Sequence, residues 1–133
     1  IQGCSQQALI NTYDNTILYT DYIVAQTINT LIKDAKDYQT ALWYVSDHGE
    51  STGERGLYLH GTPYMFAPSQ QTHIPMFAWF SPNFAFTHAQ AQQCLKQKQS
   101  VPVAHDNLFH TMLGLLGVST SVYERDLDLS WCE

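Results

Sequence analysis

The sequence predicts an α/β fold in which a long helix flanks the strands of a central sheet. Apolar residues recur at three- and four-residue steps from Ser5 to about Lys36, as on the buried face of one helix. Two short apolar runs, Thr40–Val45 and Ile74–Phe80, have the composition of buried strands. A helix followed by a buried strand indicates α/β architecture, so we expect both layers in one domain.

The predicted helix begins at Ser5, whose hydroxyl can accept a hydrogen bond from the first turn. Neither Pro nor Gly interrupts the run that follows. At 1.5 Å per residue, a helix of this length would extend about 45 Å and could flank a large sheet. Asp14, Asn15 and Asp21 fall on its solvated face. Its apolar stripe comprises Ile10, Tyr13, Ile17, Thr20, Val24, Ile28 and Leu31.

The first predicted strand is apolar on both faces, which is the pattern of a central parallel strand. In the second, Pro75 must lie among the first residues or on an edge, because proline has no N–H for the ladder. Between the strands, residues 50–68 predict a long loop, and loops of this length are usually functional or mobile.

Two further helices are expected, one over residues 87–99 and one that starts near Asp106 and ends at a Gly117 C-cap. The tail from Val118 to Glu133 shows no periodicity. The inner face of the last helix would carry Leu108, Phe109, Met112, Leu113 and Leu116.

The composition is that of a folded acidic domain. The chain has 133 residues, of which 44% are hydrophobic, enough for one domain with a core. Its net charge of −6, with only six scattered Lys and Arg residues, excludes a nucleic-acid surface. No apolar run reaches the roughly 18–20 residues that span a bilayer. The chain starts at Ile1 rather than Met, which suggests a piece of a longer protein.

Three cysteines, Cys4, Cys94 and Cys132, form no C-x-x-C pair, which argues against a zinc knuckle or a thioredoxin-type site. Two interpretations stay open. In an exported protein one cysteine would lack its partner, and Cys4 is the best candidate. In a cytosolic protein all three would be buried free thiols.

A metal-binding or catalytic site is expected where the first strand ends, at Asp47, His48 and Gly49. Just past a strand the chain turns, so neighbouring side chains can converge on one ion, and zinc binds both carboxylate oxygen and imidazole nitrogen. His60 is a third candidate, as a ligand or as a group that meets an anionic substrate, and His73 is a weaker fourth. Glu50 is expected to orient the imidazoles.

Other polar and aromatic residues are given ordinary roles. Glu54 is interpreted as a solvated loop carboxylate. His88, His105 and His110 are interpreted as helix or surface histidines. The aromatic cluster of Trp43, Tyr44, Phe77, Trp79 and Phe80 is expected in the core.

Several motifs together resemble the alkaline phosphatase and sulfatase superfamily. Within it, the sequence is similar to the lipid A phosphoethanolamine transferases, which include the colistin-resistance enzymes. The resemblance covers nearly the whole chain, and the combination is specific, whereas S-D-H-G alone would indicate only the superfamily. The motifs are Asn11–Asp21 in the long helix, Ser46–Ser51, Leu59–Gly61, Thr72–Met76 and Asp106–Gly114.

The resemblance implies that residues 1–133 are the C-terminal part of a periplasmic, zinc-dependent catalytic domain of an inner-membrane protein in Gram-negative bacteria. Such enzymes move phosphoethanolamine from phosphatidylethanolamine to a threonine and then to lipid A. Asp47 and His48 match two zinc ligands, and His60 matches a histidine that binds the phosphoryl group or a second zinc. The nucleophilic threonine and a glutamate ligand would lie upstream, so no catalytic nucleophile is expected in this chain, which should be inactive alone.

The resemblance also matches Cys4 to a family disulfide whose partner lies upstream, and it leaves a Cys94–Cys132 bond open. Two alternatives to a transferase remain. One is a phosphatase or sulfatase of the same superfamily, and the other is a non-catalytic module that keeps the fold. Metal content of the whole domain, and its loss in Asp47→Asn, would separate enzyme from module.

Overall fold

The computed structural model of the chain describes residues 3–133, which form two compact units. The first ends at Ser81 and the second runs from Pro82 to Glu133. The first unit contains helix α1 (Gln6–Asp34), strands β1 (Ala41–Val45), β2 (Ser51–Thr52), β3 (Tyr58–Leu59) and β4 (Met76–Phe80), and the short helix α2 (Ser69–Thr72). The second contains α3 (Pro82–Thr87), α4 (Ala89–Gln97) and α5 (His105–Leu115). Single 3-10 turns lie at Glu54–Gly56 and Arg125–Leu127.

Helix α1 begins where the sequence predicts, because the amide of Ala8 donates to the hydroxyl of Ser5 at 3.2 Å. The predicted stripe is the half-buried face of the helix, except that Ile17 is 50% exposed. The opposite face also carries large apolar side chains, among them Leu18, Tyr22 and Ile32, which are exposed. Within the described residues α1 therefore has one half-buried stripe and leaves apolar surface exposed on its other side.

Strands β1 and β4 form an antiparallel pair, with Ala41 opposite Phe80 and Val45 opposite Met76. The predicted parallel pairing is wrong for these strands, because an apolar pattern on both faces does not fix strand direction. The strands are not buried among the described residues either: Phe77 is 43% exposed and the other aromatic residues of the pair are only half-buried, so the expected aromatic core is not formed here. Pro75 precedes β4 and takes no part in its ladder, as proline chemistry requires. The amide of Ser46 donates to the Pro75 carbonyl at 3.2 Å, which extends the pairing past the end of β1.

The predicted loop over residues 50–68 contains a small hairpin that periodicity did not reveal. Strands β2 and β3 are antiparallel, with Ser51 opposite Leu59. The Glu54 carboxylate accepts hydrogen bonds from the Thr52 amide at 2.8 Å and from the Thr52 hydroxyl at 3.1 Å. The backbone N–H of Glu54 itself, and then these Thr52 contacts, lower the pKa of Glu54 although burial acts in the opposite direction.

The second unit is built around a disulfide. Cys94 on α4 is bonded to Cys132, with Cα atoms 5.4 Å apart, and Cys94 is fully buried beside a core that includes Phe84 and Leu129.

Cys4, in the first unit, is exposed and free, so the interpretation of all three cysteines as buried thiols is wrong. In the part of the chain that the structure describes, no helix combines the length and the apolar character that a bilayer crossing requires.

Helix α5 buries a different face from the predicted one. Phe109 and Leu116 are 52% and 67% exposed, whereas His110 and Thr111 are buried. The reason is the tail, which lies against α5: the Leu129 amide donates to the Thr111 hydroxyl at 2.9 Å, and the Glu124 amide donates to His110 Nδ1 at 2.9 Å.

Candidate metal centre

The segment that leaves β1 is fixed by hydrogen bonds to the chain that leads into β4. The Gly49 amide donates to the Gln71 carbonyl at 3.0 Å, and the Gln71 side-chain amide donates to the Ser51 hydroxyl at 2.8 Å. Ser51 and Gln71 are both buried, at 3% and 6% exposure. Together with the Ser46–Pro75 bond, these contacts hold the backbone of residues 46–51 in one conformation.

Gly49 is required here for space. A Cβ atom built on Gly49 would overlap the backbone carbonyl of Gln70 and lie 3.2 Å from the Cα of Gln71. The obstruction is backbone, which cannot rotate away as a flexible side chain can. The two chain segments can therefore approach closely only if this residue has no side chain.

Asp47 and His48 converge, as the sequence predicts for residues just past a strand end. Asp47 Oδ2 lies 3.7 Å from His48 Nε2. Two ligand atoms bound about 2.0–2.1 Å from one tetrahedral ion are about 3.3 Å apart, so a small side-chain movement would place both on one ion. The Asp47 side chain is 89% exposed and that of His48 is 41% exposed, so an ion can enter from solvent.

The hydrogen bonds of His48 indicate which ring nitrogen is available. Its Nδ1 lies 3.0 Å from the Gly49 carbonyl oxygen, which can only accept. Nδ1 therefore carries the hydrogen in the neutral ring, and the lone pair is on Nε2, the atom that faces Asp47. The Ser46 hydroxyl also donates to the His48 carbonyl at 2.7 Å, which further orders the turn.

Glu50 joins the two histidines. His60 Nδ1 donates to Glu50 Oε2 at 3.0 Å, and His48 Nδ1 lies 4.0 Å from the same oxygen. The two imidazole rings are stacked, with centroids 3.8 Å apart and an interplanar angle of 29°. A carboxylate that accepts from Nδ1 fixes the ring orientation and directs Nε2 outward, as around many protein-bound metals.

The backbone around His60 adopts unusual conformations. Leu59 has φ of 65° and Gly61 has φ of 91°, both in the left-handed region. Only glycine enters this region without a steric cost, so Leu59 is strained. Strain of this kind clusters at functional sites, where the surrounding structure maintains it.

Two donor sets are geometrically available. His48, Glu50 and His60 each offer an atom within 4.8 Å of the others. If both rings used Nδ1 as the ligand atom, the hydrogen bonds from Nδ1 to Gly49 and to Glu50 would break. The pair of Asp47 and His48 Nε2 keeps those bonds, so the hydrogen bonding favours that pair as ligands, with Glu50 orienting His60.

The other histidines singled out in the sequence lie elsewhere. His73 ends α2 and is not in the cluster. His88 stacks on Phe84 with ring centroids 4.1 Å apart, and His110 accepts the tail amide of Glu124. Sequence reasoning missed Ser51 and Gln71, whose polar side chains bring distant segments together without any periodic signal.

Comparison with known proteins shows the family to which the chain belongs. The model of the sulfatase family matches residues 2–118. The phosphoethanolamine transferase EptA of Salmonella typhimurium is 51% identical over 130 residues, which are 97% of this chain and 24% of that protein. The phosphatidylethanolamine transferase Mcr-2 of Escherichia coli is 42% identical over 116 residues, which are 87% of this chain and 20% of that protein.

Two solved structures of phosphoethanolamine transferase domains also match this chain. The soluble domain of lipooligosaccharide phosphoethanolamine transferase A from Neisseria meningitidis matches with a TM-score of 0.88 and 45% identity, over 96% of this chain and 39% of that one. The C-terminal periplasmic domain of the transferase EptC from Campylobacter jejuni matches with a TM-score of 0.84 and 48% identity, over 97% of this chain and 40% of that one. The chain thus spans about a quarter of the first curated relative and two fifths of these domains. It belongs to the sulfatase family and has the alkaline phosphatase/sulfatase-like fold of these soluble domains.

Proposed function

We propose that this chain provides the Asp-His metal ligands of a zinc-dependent enzyme that transfers phosphoethanolamine from phosphatidylethanolamine to lipid A. The observation that carries the proposal is the 3.7 Å approach of Asp47 Oδ2 to His48 Nε2 at the end of β1. It occurs in a chain that is 34–51% identical to proteins named as phosphoethanolamine or phosphatidylethanolamine transferases.

The donor set suits zinc. One carboxylate oxygen and one neutral imidazole nitrogen are ligands that zinc accepts at about 2.0–2.2 Å. Asp47 contributes the negative charge that holds the cation, and His48 contributes a neutral donor that Gly49 orients through Nδ1. The remaining ligands, and the threonine that accepts the phosphoethanolamine, belong to the upstream part of the domain.

When bound, zinc would supply charge that activates the threonine hydroxyl and neutralises the phosphoryl oxygens. His60 has a complementary task. The Glu50 carboxylate accepts from Nδ1 of His60 and fixes the ring, which leaves Nε2 outside that contact. When Nε2 also carries a hydrogen, it can donate to a phosphoryl oxygen and so favour the transition state in which charge accumulates there.

Donor and acceptor in this proposal are both membrane lipids. We therefore assign the domain to the periplasmic side of the inner membrane, where phosphatidylethanolamine and lipid A are both accessible. Addition of phosphoethanolamine covers negative charge on lipid A, and this is the physical basis for lower affinity of cationic polymyxins such as colistin.

The test uses the whole protein with Asp47→Asn and, separately, His48→Gln. We expect zinc content, measured by elemental analysis, to fall well below one per chain. We also expect transfer to lipid A, measured by mass spectrometry, to be lost. Both zinc binding and transfer require the zinc ligands. Asp21→Asn, which changes an exposed carboxylate on α1, is the matched control and should keep both. Full zinc content and full transfer in Asp47→Asn would refute the assignment, and hydrolysis without transfer in the unsubstituted protein would favour a phosphatase.

A further inference from the structure

Three large apolar side chains project into solvent from one turn that follows His60. Tyr64 is 85% exposed, Met65 is 82% exposed and Phe66 is 69% exposed. Consecutive exposed side chains of this size are unfavourable in water, since each gains free energy when it is removed from solvent. An apolar cluster of this kind marks a surface that meets a partner.

The turn is ordered rather than loose. The amides of Phe66 and Ala67 both donate to the Pro63 carbonyl, at 2.8 and 3.0 Å, and Pro68 follows directly. At its base, the Thr62 amide donates to the side-chain carbonyl of Gln71 at 3.3 Å. Gln71 is the same buried residue that holds Ser51 and Gly49 beside the candidate metal centre, so the turn and the centre share one anchor.

Chain length limits the distance between the turn and the centre. Tyr64 is four positions after His60, so their Cα atoms are at most about 14 Å apart. The polar region of a bilayer is roughly 5–8 Å thick on each side of the hydrocarbon core. Side chains that touch the acyl boundary at this turn would therefore keep His60 within about 14 Å of that boundary, in the headgroup layer or just outside it.

The charge pattern also fits a lipid surface. The chain has a net charge of −6, yet no Asp, Glu, Lys or Arg occurs between Arg55 and Lys96. The turn and its supports consequently carry no carboxylate that anionic lipid headgroups would repel. Tyr is suited to the boundary between headgroups and acyl chains, where its ring is partly buried and its hydroxyl stays wet. Met65 and Phe66 are wholly apolar and would gain free energy on leaving water.

We infer that the Tyr64–Phe66 turn inserts into the surface of the phospholipid bilayer and so holds the metal centre in the headgroup layer or just outside it. This inference rests on the proposed function, because the lipids touched are those that present its substrates. The turn acts as a positioning element, and its contact with lipid is a property that can be measured without turnover.

The first experiment places a fluorescent reporter on the turn. Phe66→Trp is compared with Tyr38→Trp, since both side chains are 69% exposed and Tyr38 precedes β1, at the other end of the strand from Asp47. The zinc-loaded whole protein is combined with vesicles of phosphatidylethanolamine and phosphatidylglycerol that carry brominated acyl chains. The unsubstituted whole protein supplies the background of the native Trp residues, three of which lie in residues 1–133. Bromine should quench the emission of Phe66→Trp and leave that of Tyr38→Trp unchanged.

The second experiment measures the consequence for lipid use. Met65→Ser combined with Phe66→Ser should raise the KM for vesicle lipids by about tenfold or more. The variant lacks the two apolar side chains whose transfer from water into the membrane would favour binding. Tyr38→Ser should keep the KM of the unsubstituted protein. Zinc content must stay the same in both variants, which shows that the fold around Asp47 is intact.

Two outcomes overturn the inference. If aqueous iodide quenches Phe66→Trp and brominated lipid does not, the turn is in water. If neither quencher reaches it, the turn is covered by protein. Failure of the proposed function gives a different result, since the unsubstituted protein would then show no transfer while the quenching experiment still reports whether the turn meets lipid.

Discussion

Replacing Gly49 by alanine tests the link between backbone packing and the candidate metal centre. The new methyl group would occupy the position of the Gln70 carbonyl and would lie 2.9 Å from its carbon atom. An ordinary contact requires about 3.4 Å or more, so one of the two chain segments must move. Movement here separates residues 46–51 from the chain that leads into β4.

The destabilisation by this methyl group has two sources. Forcing an extra methyl group into packed backbone costs about 1–3 kcal/mol. Separation of the segments also breaks the 3.0 Å bond between the Gly49 amide and Gln71, which is worth about 1 kcal/mol. We therefore expect Gly49→Ala to lower the free energy of unfolding by about 2–4 kcal/mol.

The same displacement should weaken metal binding. Ligand distances must be met within about 0.2 Å, and His48 is the residue next to Gly49. We expect zinc affinity of the whole protein, measured by competition with a chelator, to fall by about 10–100-fold, as when groups that orient a ligand are removed. Denaturant unfolding gives the stability change on the same samples.

Gly56→Ala is the matched control. A Cβ atom at Gly56 meets nothing within 4 Å, but its φ of 74° is unfavourable for alanine. This variant should lose only about 1–2 kcal/mol, from backbone strain alone, and should bind zinc normally. Equal unfolding free energies for the two variants, with unchanged zinc affinity in Gly49→Ala, would show that close approach at Gly49 is not what organises the site.

Four further predictions concern the site, the disulfide, the tail and the separated chain. Glu50→Gln should lower transfer by about 10–100-fold, because His60, which contacts the phosphoryl group in the proposed function, loses the carboxylate that orients it. Reduction of Cys94–Cys132, which closes a loop of 38 residues, should destabilise the second unit by about 4 kcal/mol in denaturant unfolding, whereas Cys4→Ser should have no effect. Burial, and then the hydrogen bond to Asp128, raise the pKa of Tyr123 to about 12, so the folded state keeps a proton that the unfolded state loses above about pH 10. The free energy of unfolding should fall between about pH 10 and 12 and fall less steeply in Tyr123→Phe. Finally, residues 1–133 alone should bind zinc weakly and transfer nothing, because Asp47 and His48 are only two of the usual four ligands.

Each of these expectations has a contrary result. Unchanged transfer in Glu50→Gln would mean that His60 needs no partner. Equal losses of stability on reduction in the unsubstituted and Cys94→Ser proteins would show that the disulfide does not stabilise the second unit. Tyr22→Phe, on the exposed face of α1, is the control for Tyr123→Phe, and identical alkaline slopes in the two variants would contradict the raised pKa. Turnover of a phosphoethanolamine donor by residues 1–133 would show that the upstream ligands are dispensable.

The parts of the fold that follow a local repeat were predictable from the sequence. Helix α1 has both a capping residue, Ser5, and a regular apolar stripe, and it begins at the predicted residue. Strand β1 was found because it is a dense apolar run that ends at polar residues. The convergence of Asp47 and His48 followed from their place after that strand, which needs no knowledge of any distant contact.

The parts that the sequence did not predict depend on pairings between distant residues. Strands β2 and β3 have two residues each, too few to show alternation. The face that α5 buries was mispredicted because polar residues, and not leucines, receive the tail. Asp128 is 2% exposed and accepts from the Tyr123 hydroxyl and from Ser130, and a side chain on Gly114 would overlap its carboxylate.

The candidate site combines both kinds of information. The local sequence places Asp47 and His48 at the end of a strand, but two contacts between distant residues determine which groups lie next to them. Gln71 holds the turn beyond them through Gly49 and Ser51, and Glu50 brings His60 against His48 from ten residues away along the chain. A hydrophobic pattern specifies neither contact, because each depends on one polar atom meeting another. The candidate ligands can therefore be picked out from the sequence alone, whereas the orientations of the two imidazole rings depend on contacts that form only when the chain is folded.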